Sequence, residues 1–516
     1  TVLGTDDFGV HDNFFALGGQ SIKATQLLTQ VREMCQVDLP LRVLFANPTI
    51  EELAKELEHQ MGASPCNTEE QRKITKAVYG NTLPMSNAQK RQWYLYQLNP
   101  ESPYYNNTVS LHLKGEKLHV HLLSQAVQLI VDRHEILRTR FALQEDEAVQ
   151  IIDPKQVMEV PLVDLTHLPR SEREQAVQAH IRQEATTPFH LEKDQLIRAV
   201  LIRAGDDDHV MVVSIHHIVS DGWSVGVFIE ELANAYDQMR AGKRVELPAL
   251  PIQYADYTLW QQNLLSDELI VHQLTYWKNK LADATELQLP TDYPRPVHPK
   301  RVGKTIERNF SSHLRKKLEK LSQQEGATLY MTLLSSFLTL LSRYSGQRDV
   351  IVSSVTANRN QVEIERLIGF FVNTLAIRAD IDMTESFADL LQKVKAATLE
   401  AFDNQDVPFE MVVDELSLER RPHLHPLSQV LFIVQNAKMR AIDLADATMT
   451  MHIENSETSK FDITVQVFEA GEDLQVMLEY DTELYRDDTM DRMLSHFERL
   501  LRAISEDVAQ PLSQDA

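Results

Sequence analysis

Cysteine is scarce in this sequence, with only Cys35 and Cys66 among 516 residues. Two thiols cannot supply a four-cysteine zinc site, and they do not make a disulfide framework. This usage is typical of a reducing compartment, so we expect a cytoplasmic protein without a metal centre. Cys35 falls on the apolar face of a predicted helix, where we expect it to pack.

Positive charge is also in short supply. The chain has 51 Lys and Arg against 75 Asp and Glu, which gives a formal net charge of -24 at pH 7. A chain this negative is repelled by nucleic acids and by anionic membrane surfaces, so we expect neither as a partner.

Long uninterrupted apolar runs and a secretory signal pattern are missing as well. The most apolar long segment, 329–344, is broken repeatedly by Ser and Thr. This pattern indicates a buried helix, with Gly346 as its C-terminal stop, and not a membrane span. The chain begins at Thr1 instead of Met, and we expect it to be a fragment of a longer protein.

Hydrophobic residues nevertheless make up 43% of the chain, enough for several folding units. Helical spacing of apolar residues predicts a small helical domain over residues 1–62, and the polar stretch 63–81 is predicted as a linker. Beyond it, alternating strand and helix patterns exceed one ordinary core. We therefore expect two lobes, at residues 82–260 and 261–516.

Some elements can be placed by local signals. Apolar runs at 199–204 and 210–215 flank the acidic, glycine-containing segment 205–208, which predicts a β-hairpin. In the small domain, Thr49 is followed three residues later by Glu52, which predicts a capping box at a helix start.

One chemically informative segment lies in the small domain, where residues 12–22 read Asp-Asn-Phe-Phe-Ala-Leu-Gly-Gly-Gln-Ser-Ile. Gly18 and Gly19 permit a tight, exposed approach to Ser21, which opens the following helix. Ser21 can be a plain N-cap, because serine is favoured there. Its hydroxyl can also carry a phosphate-linked group, because a helix N-terminus offers free N–H donors and partial positive charge. The two interpretations are compatible.

The second informative segment, residues 216–224, reads His-His-Ile-Val-Ser-Asp-Gly-Trp-Ser. It follows an apolar run typical of a central strand that is buried on both faces. Alternation along that strand predicts that His216 and His217 point to opposite sides, one toward packing and one toward a cavity. Neighbouring strand residues point apart and make a poor metal chelate. Packed core histidines and a catalytic histidine are the interpretations that these residues leave open.

The segment 12–22, at the head of a small helical domain, resembles the peptidyl carrier protein family over about residues 1–62. The resemblance implies that Ser21 bears a covalent 4′-phosphopantetheine. Gln20 departs from the His or Asp that is more usual in the family, and this departure leaves the serine in place.

The pattern His-His-x-x-x-Asp-Gly is typical of chloramphenicol-acetyltransferase-like acyltransferases, and further segments resemble condensation domains of nonribosomal peptide synthetases. These segments lie at 86–93, 133–141, 254–260, 368–378 and 405–410, with a looser one at 421–427. The resemblance implies an α+β chain, in which a four-helix carrier bundle precedes two chloramphenicol-acetyltransferase-like α/β lobes arranged as a V. The first two segments resemble the subtype with an L-residue donor and an L-residue acceptor.

The implied reaction is amide-bond formation, in which the amine of an acceptor aminoacyl thioester attacks a donor acyl thioester. In the family, the second histidine of the motif, here His217, faces the reaction tunnel. It serves there as a general base or as a group that positions the amine, and both roles stay open. The N–H of Gly222 is a candidate donor to the developing oxyanion. Trp223 is expected to pack. Ser224 is expected to cap the next helix, and the alternative is that it orients the thioester oxygen.

Asp221 is expected to be structural, because the family's aspartate pairs with an arginine and shapes the loop. Arg359 is the predicted partner, and Arg138 is the second candidate. In the segment 421–427, His423 and His425 are predicted to lie in a surface loop and not at a metal.

The resemblance also implies partners, namely an upstream adenylation domain, a downstream acceptor carrier and a phosphopantetheinyl transferase. Ser21 then carries the donor. The alternatives are a carrier–epimerisation pair, a non-catalytic recruitment platform and a free-standing CoA-dependent acyltransferase. Val-Asn-Thr at 372–374 favours condensation over epimerisation. The intact histidine motif disfavours recruitment, and the fused carrier disfavours the free-standing enzyme.

Overall fold

The computed structural model describes residues 2–3, 7–19, 21–35, 37, 39–61, 73–115, 118–265, 268–417, 425–435 and 441–513. The α-helices of this part are Ser21–Cys35 (α1), Leu41–Ala46 (α2), Ile50–Met61 (α3), Asn87–Leu98 (α4), Val120–Arg133 (α5), Arg170–Thr186 (α6), Gly222–Arg240 (α7), Tyr254–Leu264 (α8), Glu268–Lys280 (α9), Ser312–Gln324 (α10), Leu329–Ser345 (α11), Val362–Glu365 (α12), Phe387–Asp403 (α13), Phe409–Glu415 (α14) and Asp487–Glu506 (α15).

The strands of the same part are Thr82–Pro84 (β1), Asn106–Lys114 (β2), Thr139–Gln144 (β3), Glu147–Ile152 (β4), Leu162–Asp164 (β5), Ile197–Arg203 (β6), Asp208–His216 (β7), Gly303–Phe310 (β8), Asp349–Thr356 (β9), Asn373–Asp380 (β10), Val430–Gln435 (β11), Ile442–Asp443 (β12), Thr448–Glu454 (β13), Ile463–Ala470 (β14) and Asp473–Asp481 (β15). Short 3-10 helices lie at Glu135–Arg138 and His217–Val219.

The predicted helical character of the small domain is confirmed. Its described residues include α1, α2 and α3, which surround a core that contains Phe14, Leu28 and Leu44. The predicted capping box closes the start of α3: the N–H of Glu52 donates to Thr49 Oγ1 at 3.2 Å, and the N–H of Thr49 donates to the Glu52 carboxylate at 3.3 Å.

The first large sheet has the strand order β12-β13-β2-β7-β6-β5. The predicted hairpin is confirmed, because β6 and β7 pair antiparallel with Ala199 opposite Val213. One face of the sheet carries a core to which α5 and α7 contribute Ile130 and Phe228. The other face is covered by α6, through residues such as Ile181. β7 is therefore a central strand buried on both faces, as its apolar sequence predicts.

The second large sheet has the order β10-β9-β11-β14-β15-β8. The apolar segment 329–344 forms the buried helix α11, which packs on this sheet through residues such as Phe337 against Phe432. Gly346 follows α11 with φ 71°, a left-handed conformation that glycine adopts without strain. The predicted helix and its stop are both confirmed.

The first large sheet contains strands from the second half of the chain. Strands β12 and β13 come from beyond residue 260, yet β13 pairs with β2 of the first sheet, with Met451 opposite Leu111. The segment after α12 also enters the first core, where Leu367 and Phe371 are buried. The lobe bounds at 82–260 and 261–516 stay a prediction, and these crossings mean that the first lobe is completed by residues from beyond position 260.

Part of the predicted linker packs on the first lobe. Ile74 is buried in its core, and the hydroxyl of Tyr79 donates to the Glu135 carboxylate at 3.0 Å. Residues 62–72 lie outside the described residues. In the part of the chain that the structure describes, the helices are too short or too polar to cross a membrane.

Candidate active site

The two histidines of the 216–224 segment lie where β7 gives way to a turn. β7 ends at His216, and His217 begins the 3-10 helix His217–Val219. The rings face different neighbours because the backbone changes conformation between them, and not because both residues alternate along one strand as predicted. The N–H of His217 donates to the carbonyl of Tyr105 at 2.8 Å, which ties the turn to the residue before β2.

His216 is a packed residue. Its Nδ1 accepts from the N–H of Ile218 at 3.1 Å, and its ring lies edge-on to Phe189 with centroids 6.1 Å apart. Burial, and next the charge on His217, lower the pKa of His216 to about 3. This ring is therefore neutral at physiological pH and holds the turn in shape.

His217 has one ring nitrogen committed to the backbone. Its Nδ1 lies 2.7 Å from the carbonyl oxygen of Ser220. A carbonyl can only accept, so Nδ1 carries the proton and the neutral ring offers Nε2 as an acceptor. Burial, and next the positive charge of Lys460, lower the pKa of His217 to about 4. The ring lies 4.6 Å from the ring of Phe370, which comes from the segment that crosses between the lobes.

Asp221 and Arg359 form the ion pair that the motif predicts. Arg359 Nη2 lies 3.1 Å from Asp221 Oδ1, and both side chains are almost fully buried. The Asp221 carboxylate also accepts from the N–H of Ser224 at 2.8 Å and from the N–H of Phe371 at 3.1 Å. Arg138, the second candidate, is elsewhere and donates to the carbonyl of Asp153.

The prediction that Ser224 caps the next helix is wrong. Asp221 is the N-cap of α7, because α7 begins at Gly222 and the Asp221 carboxylate accepts from the third residue of the helix. The hydroxyl of Ser224 is buried and donates to the Gly369 carbonyl at 2.8 Å. Ser224 thus joins the Asp221–Arg359 network to the crossing segment and is not oriented toward a substrate.

Gly222 is the first residue of α7, so its N–H has no acceptor within the helix. Among the described residues, a Cβ built on Gly222 would meet no atom within 4 Å. The start of α7 is therefore open at the Gly222 Cα, and the N-terminus of a helix carries partial positive charge. Trp223 packs as predicted, and its indole N–H donates to the Glu365 carbonyl at 2.9 Å.

Ser21 begins α1, as predicted, and the turn before it is closely packed. Gly18 has φ 84°, and a Cβ on Gly19 would lie 2.3 Å from the Phe14 ring, so glycine is required at both positions. The first turn of α1 contains no acidic residue. Free N–H donors without a nearby carboxylate suit a phosphodiester, so the residues present fit the phosphopantetheine group that the sequence implies.

The small domain contacts the second lobe through α1 and α2. Arg32 of α1 donates to the backbone carbonyl of Asn360 and to Gln361 Oε1, the latter at 3.1 Å. Phe45 of α2 packs on the core of the second lobe, and Phe402 of α13 packs on the core of the small domain. These contacts set the helix that Ser21 begins against the loop that carries Arg359.

A cavity lies between the small domain and the larger unit. Its lining includes Thr25 and Gln26 of α1 together with Trp223 and Arg359. The helix that starts at Ser21 and one residue of the 216–224 segment, Trp223, therefore share a cavity.

Comparison with known proteins decides the family. The family model described as "Condensation domain" matches residues 79–515, most of the chain. The chain belongs to the condensation domain family. A second model, "Phosphopantetheine attachment site", matches residues 1–57. A carrier region with covalent 4′-phosphopantetheine thus precedes a condensation domain, an acyltransferase that forms amide bonds in nonribosomal peptide synthesis.

Related sequences belong to peptide antibiotic synthetases. Over 517 residues the chain is 41% identical to one of the linear gramicidin synthase subunits of Brevibacillus parabrevis, and the match covers 99% of this chain and 6% of that protein. Over 504 residues it is 36% identical to gramicidin S synthase 2 of Brevibacillus brevis, and that match covers 98% and 11%. The chain thus spans only a small fraction of the length of these curated relatives.

Solved structures share the fold. The X-domain from teicoplanin biosynthesis superposes with a TM-score of 0.78 at 27% identity, and the match covers 86% of this chain and 100% of that one. The four-domain nonribosomal peptide synthetase AB3403 superposes with a TM-score of 0.76 at 22% identity over 86% of this chain and 34% of that one, and it shows the fold alone. The predicted α+β fold class with two condensation-type lobes is confirmed.

Several residues around His217 carry no local sequence signal. Tyr105, Phe370 and Lys460 reach the condensation motif from three distant segments, and their contacts depend on how the lobes assemble. Only Phe370 falls in a segment that the sequence singled out, 368–378. Pattern recognition along the chain had no means of finding the other two.

His425 lies outside the helices and strands, as predicted, but its side chain is partly buried. Its ring stacks on Phe409 with centroids 5.4 Å apart and lies tilted against Phe461 at 4.3 Å, and Arg91 Nη2 lies 2.6 Å from its Nε2. Burial lowers the pKa of His425 well below its usual value. His423 lies outside the described residues. Among the described residues, no three His, Cys, Asp or Glu side chains are grouped to hold a metal ion.

Proposed function

We propose that this chain transfers an acyl group from the carrier at Ser21 to the amine of an aminoacyl thioester on a second carrier. The observation that carries the proposal is the cavity between α1, which Ser21 begins, and Trp223 and Arg359 beside the histidine motif. The carrier precedes the condensation domain along the chain, so we infer that its cargo is the donor. The arm on Ser21, when bound, supplies the thiol that holds the acyl group as a thioester.

His217 is proposed to act through Nε2. Its Nδ1 is held by the Ser220 carbonyl at 2.7 Å, so the ring is oriented and only Nε2 is free to accept from the acceptor amine. Because the pKa of His217 is lowered to about 4, the ring is neutral before the amine arrives. Such a weak base favours positioning of the amine, and it removes a proton once the C–N bond has made the nitrogen acidic. The C–S bond then breaks, and the thiol leaves with one proton.

The start of α7 is proposed to stabilise the developing oxyanion. The N–H of Gly222 lacks an acceptor in the helix, and the space beside its Cα is open. Hydrogen-bond donors that are already in position before the reaction stabilise the negative charge as it develops on the oxygen. Removal of one such donor typically lowers the rate about 10²-fold or more. Asp221 and Arg359 hold these donors in place through their buried ion pair.

The proposal includes partners that the chain does not contain. An upstream adenylation domain supplies the aminoacyl group, a phosphopantetheinyl transferase modifies Ser21, and a downstream carrier brings the acceptor. We place this reaction in the cytosol, consistent with the two cysteines among 516 residues.

The experiment loads Ser21 with an aminoacyl-phosphopantetheine from a synthetic CoA conjugate and adds a small aminoacyl thioester as acceptor. Mass spectrometry then follows the amide product in the wild-type chain and in His217→Ala. We expect loading in both and product in the wild type only. Equal product in the variant would remove His217 from the mechanism, and absence of loading would remove the carrier assignment.

A recruitment role is the competing function, because a fold neighbour, the teicoplanin X-domain, has been solved in complex with OxyB. Here His217 keeps an oriented ring and a free Nε2, which recruitment does not require. Epimerisation is the other competitor. Deuterium uptake at Cα of the Ser21-bound residue without amide product would favour it over condensation.

A further inference from the structure

Lys460 follows a residue, Ser459, whose backbone N–H and carbonyl are both hydrogen-bonded. The N–H of Ser459 donates to the Arg301 carbonyl at 2.9 Å, and the Tyr104 hydroxyl donates to the Ser459 carbonyl at 2.7 Å. The backbone is thus held on both sides of the peptide that leads into Lys460. From this position its Nζ lies over the ring of Tyr105, 5.2 Å from the centroid, in a cation–π contact.

Tyr105 connects Lys460 to both histidines. The Tyr105 ring centroid lies 6.4 Å from that of His216 and 6.4 Å from that of His217. The Tyr105 carbonyl also accepts the His217 N–H at 2.8 Å. Tyr105, which lies beside the His217 ring, is therefore the same residue that holds the Lys460 ammonium in a cation–π contact.

The balancing charge for Lys460 is Glu479 on β15. Burial raises the pKa of Glu479 to about 7 and lowers the pKa of Lys460, while each group partly offsets the effect on the other. Within the described part of the chain, Lys460 Nζ forms no direct ion pair with a carboxylate. The positive charge of such a partly buried cation, without a direct counterion, acts more strongly on nearby ionisable groups than it would in water.

We propose that Lys460 is a positioning residue for the condensation reaction, an ammonium that keeps the His217 ring in its neutral, Nε2-accepting form. The inference rests on the proposed role of His217. Its chemistry is electrostatic: a second positive charge close to a buried imidazole disfavours protonation of the ring. The reacting amine then finds the neutral His217 Nε2 as a hydrogen-bond acceptor and not a positively charged imidazolium ring.

Other charged groups also face this site. Asp221 favours the protonated ring of His217, and the Ser220 carbonyl does the same through its hydrogen bond. Arg198 and Lys460 both act on His216, which is the nearest titratable neighbour of His217. Burial is the largest cause that lowers the pKa of His217 and Lys460 is the next, so removal of Lys460 should raise that pKa part of the way toward its ordinary value.

The test compares Lys460→Met, which removes the charge but keeps an apolar stem, with Lys460→Arg, which keeps the charge. Histidine labelled with ¹³C at Cε1 reports the titration of His217 by NMR, and His217→Ala assigns the signal. We expect the midpoint in Lys460→Met to move up from about 4 toward the ordinary value of 6.5, and the midpoint in Lys460→Arg to stay. Lys278→Met, which removes a surface lysine paired with Glu415, is the matched control.

Amide formation supplies the second readout. The acid limb of the pH–rate profile should move to higher pH in Lys460→Met and not in Lys460→Arg. An unchanged His217 midpoint in a folded Lys460→Met chain would overturn the inference, as would equal losses of rate in both variants at every pH. If the wild-type chain makes no amide, the proposed function fails, whereas the NMR midpoints still decide the role of Lys460.

Discussion

Arg359 and Asp221 face each other across the lobes in a pair that solvent scarcely reaches, with side-chain exposures of 1% and 0%. Asp221 caps α7, the helix that starts beside His217, and Arg359 follows β9 of the second sheet. Arg359 also donates to the carbonyls of Ile364 and Leu367, at 2.6 Å and 2.7 Å. The pair therefore sets the geometry of the motif from the opposite lobe without touching the reacting atoms.

Removal of one partner of this pair should destabilise the chain strongly. Asp221→Ala leaves the Arg359 charge buried without its carboxylate, a change that typically costs about 3–5 kcal/mol. Denaturant unfolding of the condensation domain measures it. The control is Asp380→Ala, which breaks an exposed pair with Arg348 and should cost less than about 1 kcal/mol. Similar losses in the two variants would contradict the structural role of the buried pair.

Local signals were sufficient wherever one short segment determines the structure. The Gly18-Gly19 turn before Ser21, the β6–β7 hairpin and the stop at Gly346 depend on neighbours in sequence, and all three are present. The Asp221–Arg359 pair was accessible only through family resemblance, because 138 residues separate the partners.

The features that the sequence did not show have the opposite cause. The burial of the His425 side chain was not predicted, because a loop sequence carries no sign of the two rings that contact it. Lys460 and Tyr105 meet only because the lobes assemble, so no periodicity or spacing predicts their contact. The catalytic motif is therefore readable from the sequence, whereas the charges that tune it are not.

Substitution by alanine should lower the free energy of unfolding at one glycine near the motif and leave it unchanged at another. A Cβ on Gly369 would lie 2.2 Å from the Tyr254 ring, which is buried and held by hydrogen bonds of its hydroxyl to the Phe370 carbonyl and to Ser86. Overpacking of this kind costs about 1–3 kcal/mol. Gly369→Ala should therefore lower the free energy of unfolding by that amount.

Among the described residues, a Cβ at Gly222 meets no atom within 4 Å. Gly222→Ala should keep the unfolding free energy within about 0.5 kcal/mol of the wild type, while the methyl group at the start of α7 should slow amide formation if that helix start binds the reacting groups. Unfolding curves and product yields for both variants provide the measurement. Wild-type stability of Gly369→Ala would contradict the close contact of Gly369 with Tyr254. A destabilised Gly222→Ala would contradict the open space at Gly222.

The carrier contact should matter for a donor held on Ser21 and not for a free one. Arg32→Ala removes the hydrogen bonds to Asn360 and Gln361 and should slow product formation severalfold from the loaded carrier. A small acyl thioester supplied in solution bypasses the contact and should react at an unchanged rate. Lys55→Ala, which removes a salt bridge to Glu51 within α3, is the control. Equal rates for Arg32→Ala and the wild type with the loaded donor would place the productive docking surface elsewhere.

Acid should destabilise the condensation domain partly through His216. Burial lowers the pKa of this ring to about 3 in the folded chain, against 6.5 as its ordinary value. Between these values the unfolded chain binds a proton that the folded chain does not, so the stability is present above pH 6.5 and is lost as the pH falls. The contribution of His216 to the slope of unfolding free energy against pH approaches about 1.4 kcal/mol per pH unit.

His216→Gln keeps an acceptor for the Ile218 N–H without a titrating ring, so its unfolding free energy should fall less steeply from pH 6.5 to pH 4. His313→Gln, at an exposed position of α10, should leave the wild-type slope unchanged. A slope in His216→Gln equal to that of the wild type would mean that the ring becomes protonated without unfolding, and so that the turn between β7 and His217 opens at acidic pH while the rest of the domain stays folded.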